Sequence, residues 1–477
     1  MKTLRVAAVL AVLLALLAPL ATAAAPAKAA PGAAKSAPAA ARPSAPATTS
    51  PAAPAAATDL IQVADEVARD VESLRGWKFK QPVKKQICGP DFVRTYLSKE
   101  IDKQVPPDKV AQAQAFLRTI GLLPPTSDLK KTYLDILQAQ AGGFYDTETK
   151  TLYLVRRGES TSAIDRIMLA HELTHALDDQ QVDLDAFVKP RTGQTEDMDL
   201  VISSVMEGSA TSLMTQYMTR MQLSGNTNLA ELQAYAEGEA ENTRKLMEAP
   251  RYFTSMIGAY LCGVQFLTKG GLVGAILAPD NQATGRNFEA AIKDPPRSTE
   301  QILHPEKYWE ESKRDEPVVV NDDAAAKTFA RPGRWIVHKD TVGEMLIAIL
   351  TTPPDSKPNL MFMQTSEAWT NAAAKGWGGD RFYLLASGKT AAEAAKTLKD
   401  LKGLWITLWD AAKDRDEFVE AYDKNAAAAH ATFRLGNLAA VVFYGFDEAE
   451  RKALEARLEK SPPPMTQAGK PWAPWAL

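Results

Sequence analysis

The run His171-Glu172-Leu173-Thr174-His175 places two imidazoles four residues apart, with a carboxylate directly after the first. On a helix, residues four apart share a face, with Cβ atoms roughly 5–6 Å apart. Both rings can then reach one ion at about 2.0–2.1 Å. Glu172 points about 100° round the axis, so it meets a water rather than completing the ligand set. The spacing supplies two metal ligands and a base in one turn. The bland alternative is a pair of satisfied core or surface histidines. Such spacing arises by chance in on the order of one percent of chains this long, so the surroundings decide. The face carrying His171 and His175 also carries Ile164 and Met168 and therefore points inward. Two adjacent buried histidines need partners.

A catalytic zinc takes three protein ligands and keeps one place for water. A third histidine six residues after His175 would extend the motif as in one large class. Gln181 stands there instead, and Asp178 stands where that class has glycine. Glu207 is the candidate third ligand. It interrupts "LVISSVMEGSATSLM", and no Lys or Arg occurs between Arg191 and Arg220. An unpaired carboxylate there would cost on the order of several kcal/mol, a penalty that a cation removes. Ser203, Ser204 and Thr211 share its face and are placed to hydrogen-bond its second oxygen, and Gly208 permits close approach of another backbone. The competing reading is a Glu at a wet interface or paired with a distant arginine.

A second group to stabilise an oxyanion is expected from His304, in "PPRSTEQILHPEKYWE", which reads as an irregular polar loop. A capping or surface histidine is the bland reading. Tyr260 is another candidate, although its apolar helix favours core packing. Arg297 has no supporting context. His338 and His430 have no motif around them. In "KGWGGDRFYLL" Trp377 sits among glycines, as a packed aromatic at a turn or as a ligand contact.

These groups need helices to carry them. Ser162 and Asp165 form a capping-box pattern, predicting a helix from about Ala163 to Gln181. "GGFYDTETKTLYLV" before it predicts a β-hairpin. "DMDLVISSVMEGSATSLMTQYM" predicts the helix bearing Glu207, and "AELQAYAEGEAENTRKLM" and "YFTSMIGAYLCGVQFL" predict two more. Asp59 to Gln140 reads as helical throughout. In the tail, "RFYLLA", "LWITLW" and "LAAVVFYGF" predict strands, and "DRDEFVEAYDKN" and "DEAERKALEARLEK" predict helices. The fold expected is α+β. Its parts are a mainly helical domain over 59–315 with a hairpin before the histidine helix, a small α+β accessory domain over 316–460, and a flexible tail over 461–477.

Two segments precede these domains. Lys2 and Arg5, an apolar run from Val6 to Ala18, and Ala21-Thr22-Ala23 read as a signal peptide over 1–23. An uncleaved anchor is the alternative, and the run is short for a membrane span. Residues 24–58 are rich in Ala and Pro and read as a disordered spacer. Of the 55 basic and 58 acidic residues, five basic ones and no acid precede Asp59, so the folded part carries 50 against 58, or −8. That surface argues against nucleic acid or an anionic membrane as partner. Cys88 and Cys262 form one disulfide of an exported protein, or two separate buried thiols.

"HELTHA" resembles the active-site helix of the zincin metallopeptidases, letter for letter that of the thermolysin family. "MEGSA" resembles the helix that brings the glutamate ligand in gluzincins, and "GFYDTETKTLYL" resembles the hairpin whose second strand is the substrate edge there. The likeness spans about Gly142 to Met218. It implies one zinc ion per chain on His171, His175 and Glu207, with Glu172 as base; His304 remains a candidate donor from its own context and is not implied by the likeness. It implies a peptidase acting on peptide or protein, with substrate lying along Thr151–Leu154; the N-terminal segment adds the expectation that the protein is exported, secreted or held in the envelope. Thirty-one residues separate His175 from Glu207, more than these families usually have, and Thr211 stands where thermolysin-like enzymes have aspartate. Two other readings remain: an envelope scaffold with a degenerate metal site, and a zinc hydrolase of a non-peptide amide or ester.

Overall fold

The computed structural model describes residues 55–140, 143–155, 162–225, 248–269, 278, 280–356, 363, 365–468 and 470–472. The expected signal peptide, most of the spacer and "AELQAYAEGEAENTRKLM" lie outside the described residues. Helix α1 (Ala55–Arg75) begins inside the segment expected to be spacer. It is followed by β1 (Lys84–Cys88), α2 (Pro90–Gln104), α3 (Pro107–Thr119) and α4 (Leu129–Gln140). The hairpin of β2 (Gly143–Asp146) and β3 (Thr151–Val155) leads into α5 (Ala163–Val182), the short α6 (Leu184–Val188) and the long α7 (Glu196–Leu223). Then come α8 (Thr254–Thr268), α9 (Gln282–Lys293), α10 (Thr299–Leu303) and α11 (Glu306–Trp309).

Each helix that carries candidate ligands starts at a cap. Ser162 accepts from the Asp165 N–H while Asp165 accepts from the Ser162 N–H, a complete capping box for α5. The Thr195 side chain caps α7 through the Met198 N–H. Both helices are buried along most of their length, which explains why neither shows a one-sided apolar stripe. Helix α8 crosses α7 where two glycines meet. A Cβ on Gly208 would lie 2.3 Å from the Gly263 carbonyl carbon, and one on Gly263 would lie 2.0 Å from the Ser204 oxygen. The close approach expected at Gly208 is therefore with Gly263.

The first sheet has the order β1-β3-β2. The stretch 59–140 is thus not helical throughout. β1 pairs in parallel with β3, Lys84 opposite Thr151 through Cys88 opposite Val155. "KKQIC" lacks apolar alternation because it is an outer strand with Lys84 and Gln86 exposed. The pairing corrects the expected substrate edge: β3 is the central strand, and Thr151–Leu154 is covered on both sides.

The C-terminal part holds β4 (Val318–Val320), α12 (Asp322–Phe329), β5 (Arg334–Asp340), α13 (Gly343–Thr351), β6 (Trp377–Ser387), α14 (Ala391–Thr397), β7 (Lys399–Trp409), α15 (Ala412–Asn425), β8 (Ala431–Leu435), β9 (Ala439–Tyr444), α16 (Glu448–Lys460), β10 (Met465–Gln467) and β11 (Lys470–Trp472). Its main sheet, β5-β6-β7-β9-β8, is antiparallel throughout. Strands β6 and β7 are apolar on both faces. Phe382, Leu384 and Trp405 face the large core shared with the helices, while Tyr383, Leu385, Leu404 and Ile406 pack under α12 and α16. The core therefore continues across the 315/316 boundary. Trp377 is a packed aromatic whose Nε1 donates to Asp380. Within the expected tail, β10 pairs with β4 and β11. The fold is α+β, with a separate C-terminal sheet region.

Asp197, at the start of α7, links the two parts through its N–H, which donates to the Thr341 carbonyl. It is buried and accepts from the Thr299 N–H and hydroxyl. Burial pushes its carboxyl up to about 7, with Asp380 and Glu344 adding to the effect and Thr299 opposing it. The folded chain therefore keeps this proton over a range in which the unfolded chain, near 3.8, has released it. Stability from this group is present below about pH 4 and is lost as pH rises to about 7, with an amplitude of roughly a few kcal/mol. Urea unfolding across that window is expected to show native stability falling relative to Asp197→Asn. Parallel curves for the two proteins would refute the assignment.

Candidate metal centre

The structure brings His171, His175 and Glu207 together. His171 Nε2 lies 3.2 Å from Glu207 Oε2 and 3.2 Å from His175 Nε2, and His175 Nε2 lies 3.4 Å from Glu207 Oε2. Ligands at about 2.05 Å round a tetrahedral ion stand about 3.3 Å apart. The three atoms thus form one face of such a tetrahedron. Two imidazoles and a carboxylate suit several first-row divalent ions, zinc among them.

The site is deeply placed. Relative exposure is 0% at His171, 3% at Glu172, 6% at His175 and 5% at Glu207. Burial alone would raise the Glu207 carboxyl, yet the charge of His175 and hydrogen bonds from both rings hold it well below the carboxylate range. Burial pulls His171 down. His175 is raised, because Glu207 outweighs the burial of the ring. The pocket is therefore arranged to keep Glu207 anionic beside two nitrogen donors. Both Nδ1 atoms are buried without a hydrogen-bond partner among the described residues.

Glu172 stands outside the triad. Its Oε2 accepts from the Tyr145 N–H at 2.8 Å, and burial pushes its carboxyl up to about 8. Tyr145 belongs to β2, so β2 is the strand that faces α5. Alternation along β2 turns the main-chain groups of Gly143 to the same side as those of Tyr145. The hairpin is fastened to α5 by the Tyr145 hydroxyl and Lys150, both donating to Asp179.

Tyr260, which an apolar helix made look like packing, is at the site. Its ring lies parallel to His171, centroids 6.4 Å apart, and its hydroxyl feels the charge of Glu207. Burial first, then the Glu207 charge, keeps that hydroxyl protonated far above its usual range. The expected hydroxyl partners of Glu207 are not its partners: Ser204 donates to the Leu200 carbonyl, and Thr211 Oγ1 is buried without one. Tyr260→Phe, which removes the hydroxyl beside Glu207, is expected to lower metal affinity about 10-fold, the scale on which groups around a ligand act. An unchanged value in a chelator competition would show that Tyr260 only packs.

His304 is not brought to the triad. "STEQIL" is the capped helix α10 rather than an irregular loop, because Ser298 caps it through the Gln301 N–H. His304 ends that helix, with Nε2 2.9 Å from Glu344. Cys88 and Cys262 are free and lie in different apolar clusters, so no disulfide joins them. A second acidic group, Glu300, Asp315 and Asp410, is filled by the Lys307 ammonium at 2.5, 3.0 and 3.4 Å. A cavity of about 550 Å³ lies at the joint of the two parts, lined by Lys109, Glu196, Asp199, His338, Lys339 and Arg381 among others.

A family model described as a domain of unknown function (DUF8575) matches residues 333–457, about a quarter of the chain and outside the triad. No curated protein and no solved structure matches.

Proposed function

We propose that the chain is an exported zinc-dependent metallopeptidase of gluzincin type, acting on peptide or protein and not on nucleic acid. Export rests on the basic and apolar start of the sequence, outside the described residues. Among the described residues no helix is long and apolar enough to cross a membrane. The observation that carries the reading is a triad of 3.2–3.4 Å edges with a second carboxylate, Glu172, held beside it by a main-chain N–H.

His171, His175 and Glu207 would hold the ion, which when bound acts as a Lewis acid toward water and the scissile carbonyl. Glu172 takes the proton from the attacking water and returns it to the leaving amine. A carboxylate placed beside the ion can both accept and give a proton. Tyr260 stays protonated beside Glu207. The outer edge of β2 would receive substrate as an added strand through the main-chain groups of Gly143 and the Tyr145 carbonyl, the Tyr145 N–H being held by Glu172.

A second reading, a structural metal site, is favoured by the burial of all four side chains, since catalytic sites keep an open position. Against it stands Glu172, a base that a structural site does not need. Incubating zinc-loaded protein with casein and a peptide library separates the readings. Cleavage abolished by chelation and restored by zinc is the result expected. Stoichiometric zinc with no cleavage of any substrate would favour the structural site, and cleavage of esters or amides alone would favour a non-peptide hydrolase. In Glu207→Ala, metal affinity is expected to fall at least 100-fold. Native affinity in that variant would remove Glu207 from the ligand set.

A further inference from the structure

Three residues after His175, the α5 helix buries a second carboxylate, Asp178, that the chemistry above does not use. Its two oxygens accept from Arg75 Nη2 at 2.8 and 2.9 Å, and both side chains are fully buried. The same Nη2 reaches Ser209 Oγ, and Ser209 donates to Asp178 at 2.6 Å. Ser209 lies two residues after Glu207 on α7. Arg75 ends α1, and its other nitrogen donates to Asn281, which in turn donates to Ser212 on α7. The guanidinium is walled by Trp77 and Phe288, with centroids at 5.2 and 6.0 Å.

One buried fork thus spans the helix that carries both histidines and the helix that carries Glu207. For stability alone, an apolar pair of similar volume often serves as well as a buried ion pair. What the ion pair adds is geometry. A planar guanidinium fixes its partners' positions and angles, which a flexible side chain does not. We infer that Arg75, Asp178 and Ser209 form a positioning clamp that sets the separation and rotation of α5 against α7, and so the 3.2–3.4 Å spacing of the metal ligands. The inference rests on the metal reading proposed above.

Co²⁺ alone is the probe, with affinity read by chelator competition, geometry by the visible absorption of the bound ion, and folding by circular dichroism melting. Arg75→Met/Asp178→Leu is expected to melt cooperatively but to bind Co²⁺ about 10–100-fold more weakly, with an altered spectrum. Arg75→Lys, which keeps the charge and loses the fork, should fall between native and double variant. A folded double variant with native Co²⁺ affinity and spectrum would overturn the clamp. If the double variant does not fold, Ser209→Ala decides. A folded protein with affinity reduced about 3-fold or more supports the clamp, and native affinity overturns it. A native chain that binds no Co²⁺ removes the metal reading itself, whereas native binding with unchanged variants removes the clamp alone.

Discussion

Glu172→Gln is expected to bind metal as tightly as the native chain and to cleave peptide about 10²–10⁴-fold more slowly, the range that a positioned acid–base group contributes. The substitution keeps the side chain's shape, and its remaining oxygen still accepts the Tyr145 N–H. It removes only the ability to take a proton. Glu172 is absent from the triad, so metal content should not move. Loss of both metal and cleavage would make Glu172 a ligand or a structural residue. Native cleavage by the variant would place the base elsewhere.

Gly263→Ala is expected to destabilise the fold by about 3 kcal/mol or more and to weaken metal binding at least about 10-fold. Ordinary overpacking costs about 1–3 kcal/mol because neighbouring side chains turn aside. Here the added Cβ meets the Ser204 carbonyl at 2.0 Å, and a helical main chain has no rotamer to turn. Relief requires α7 and α8 to separate. Ser204 lies one turn before Glu207, and Tyr260 one turn before Gly263, so separation displaces at least one of these groups relative to the other and to the histidines. Gly89→Ala is the control: it has open space and φ −93°, and should change stability by less than about 0.5 kcal/mol. Thermal melts and chelator competition on the three proteins check this. Near-native values for Gly263→Ala would mean that the helix crossing is looser than described.

The parts of the site legible in the sequence are those whose signal is local. Two histidines and a glutamate within one helical turn declare their geometry through the spacing alone. Glu207 stood out as a lone acid in an apolar stretch without a nearby cation. Tyr260 did not, because a tyrosine in an apolar helix gives the same signal whether it packs or holds a ligand. His304 misled because proline and polar residues around α10 imitate a loop, while the Ser298 cap beside them marks a helix. Arg75 was silent, since its partner lies 103 residues away and nothing near it foretells the pairing. Strand β1 was missed for a related reason: it is defined by its pairing with β3 and not by its own pattern.

Metal analysis of purified protein tests the central claim most directly. Native and Glu172→Gln chains dialysed against trace zinc should each carry about one ion per chain, and His171→Ala and Glu207→Ala about none. Zinc retained by both ligand variants, or absent from the native chain under conditions that load other two-histidine, one-carboxylate sites, would contradict the account.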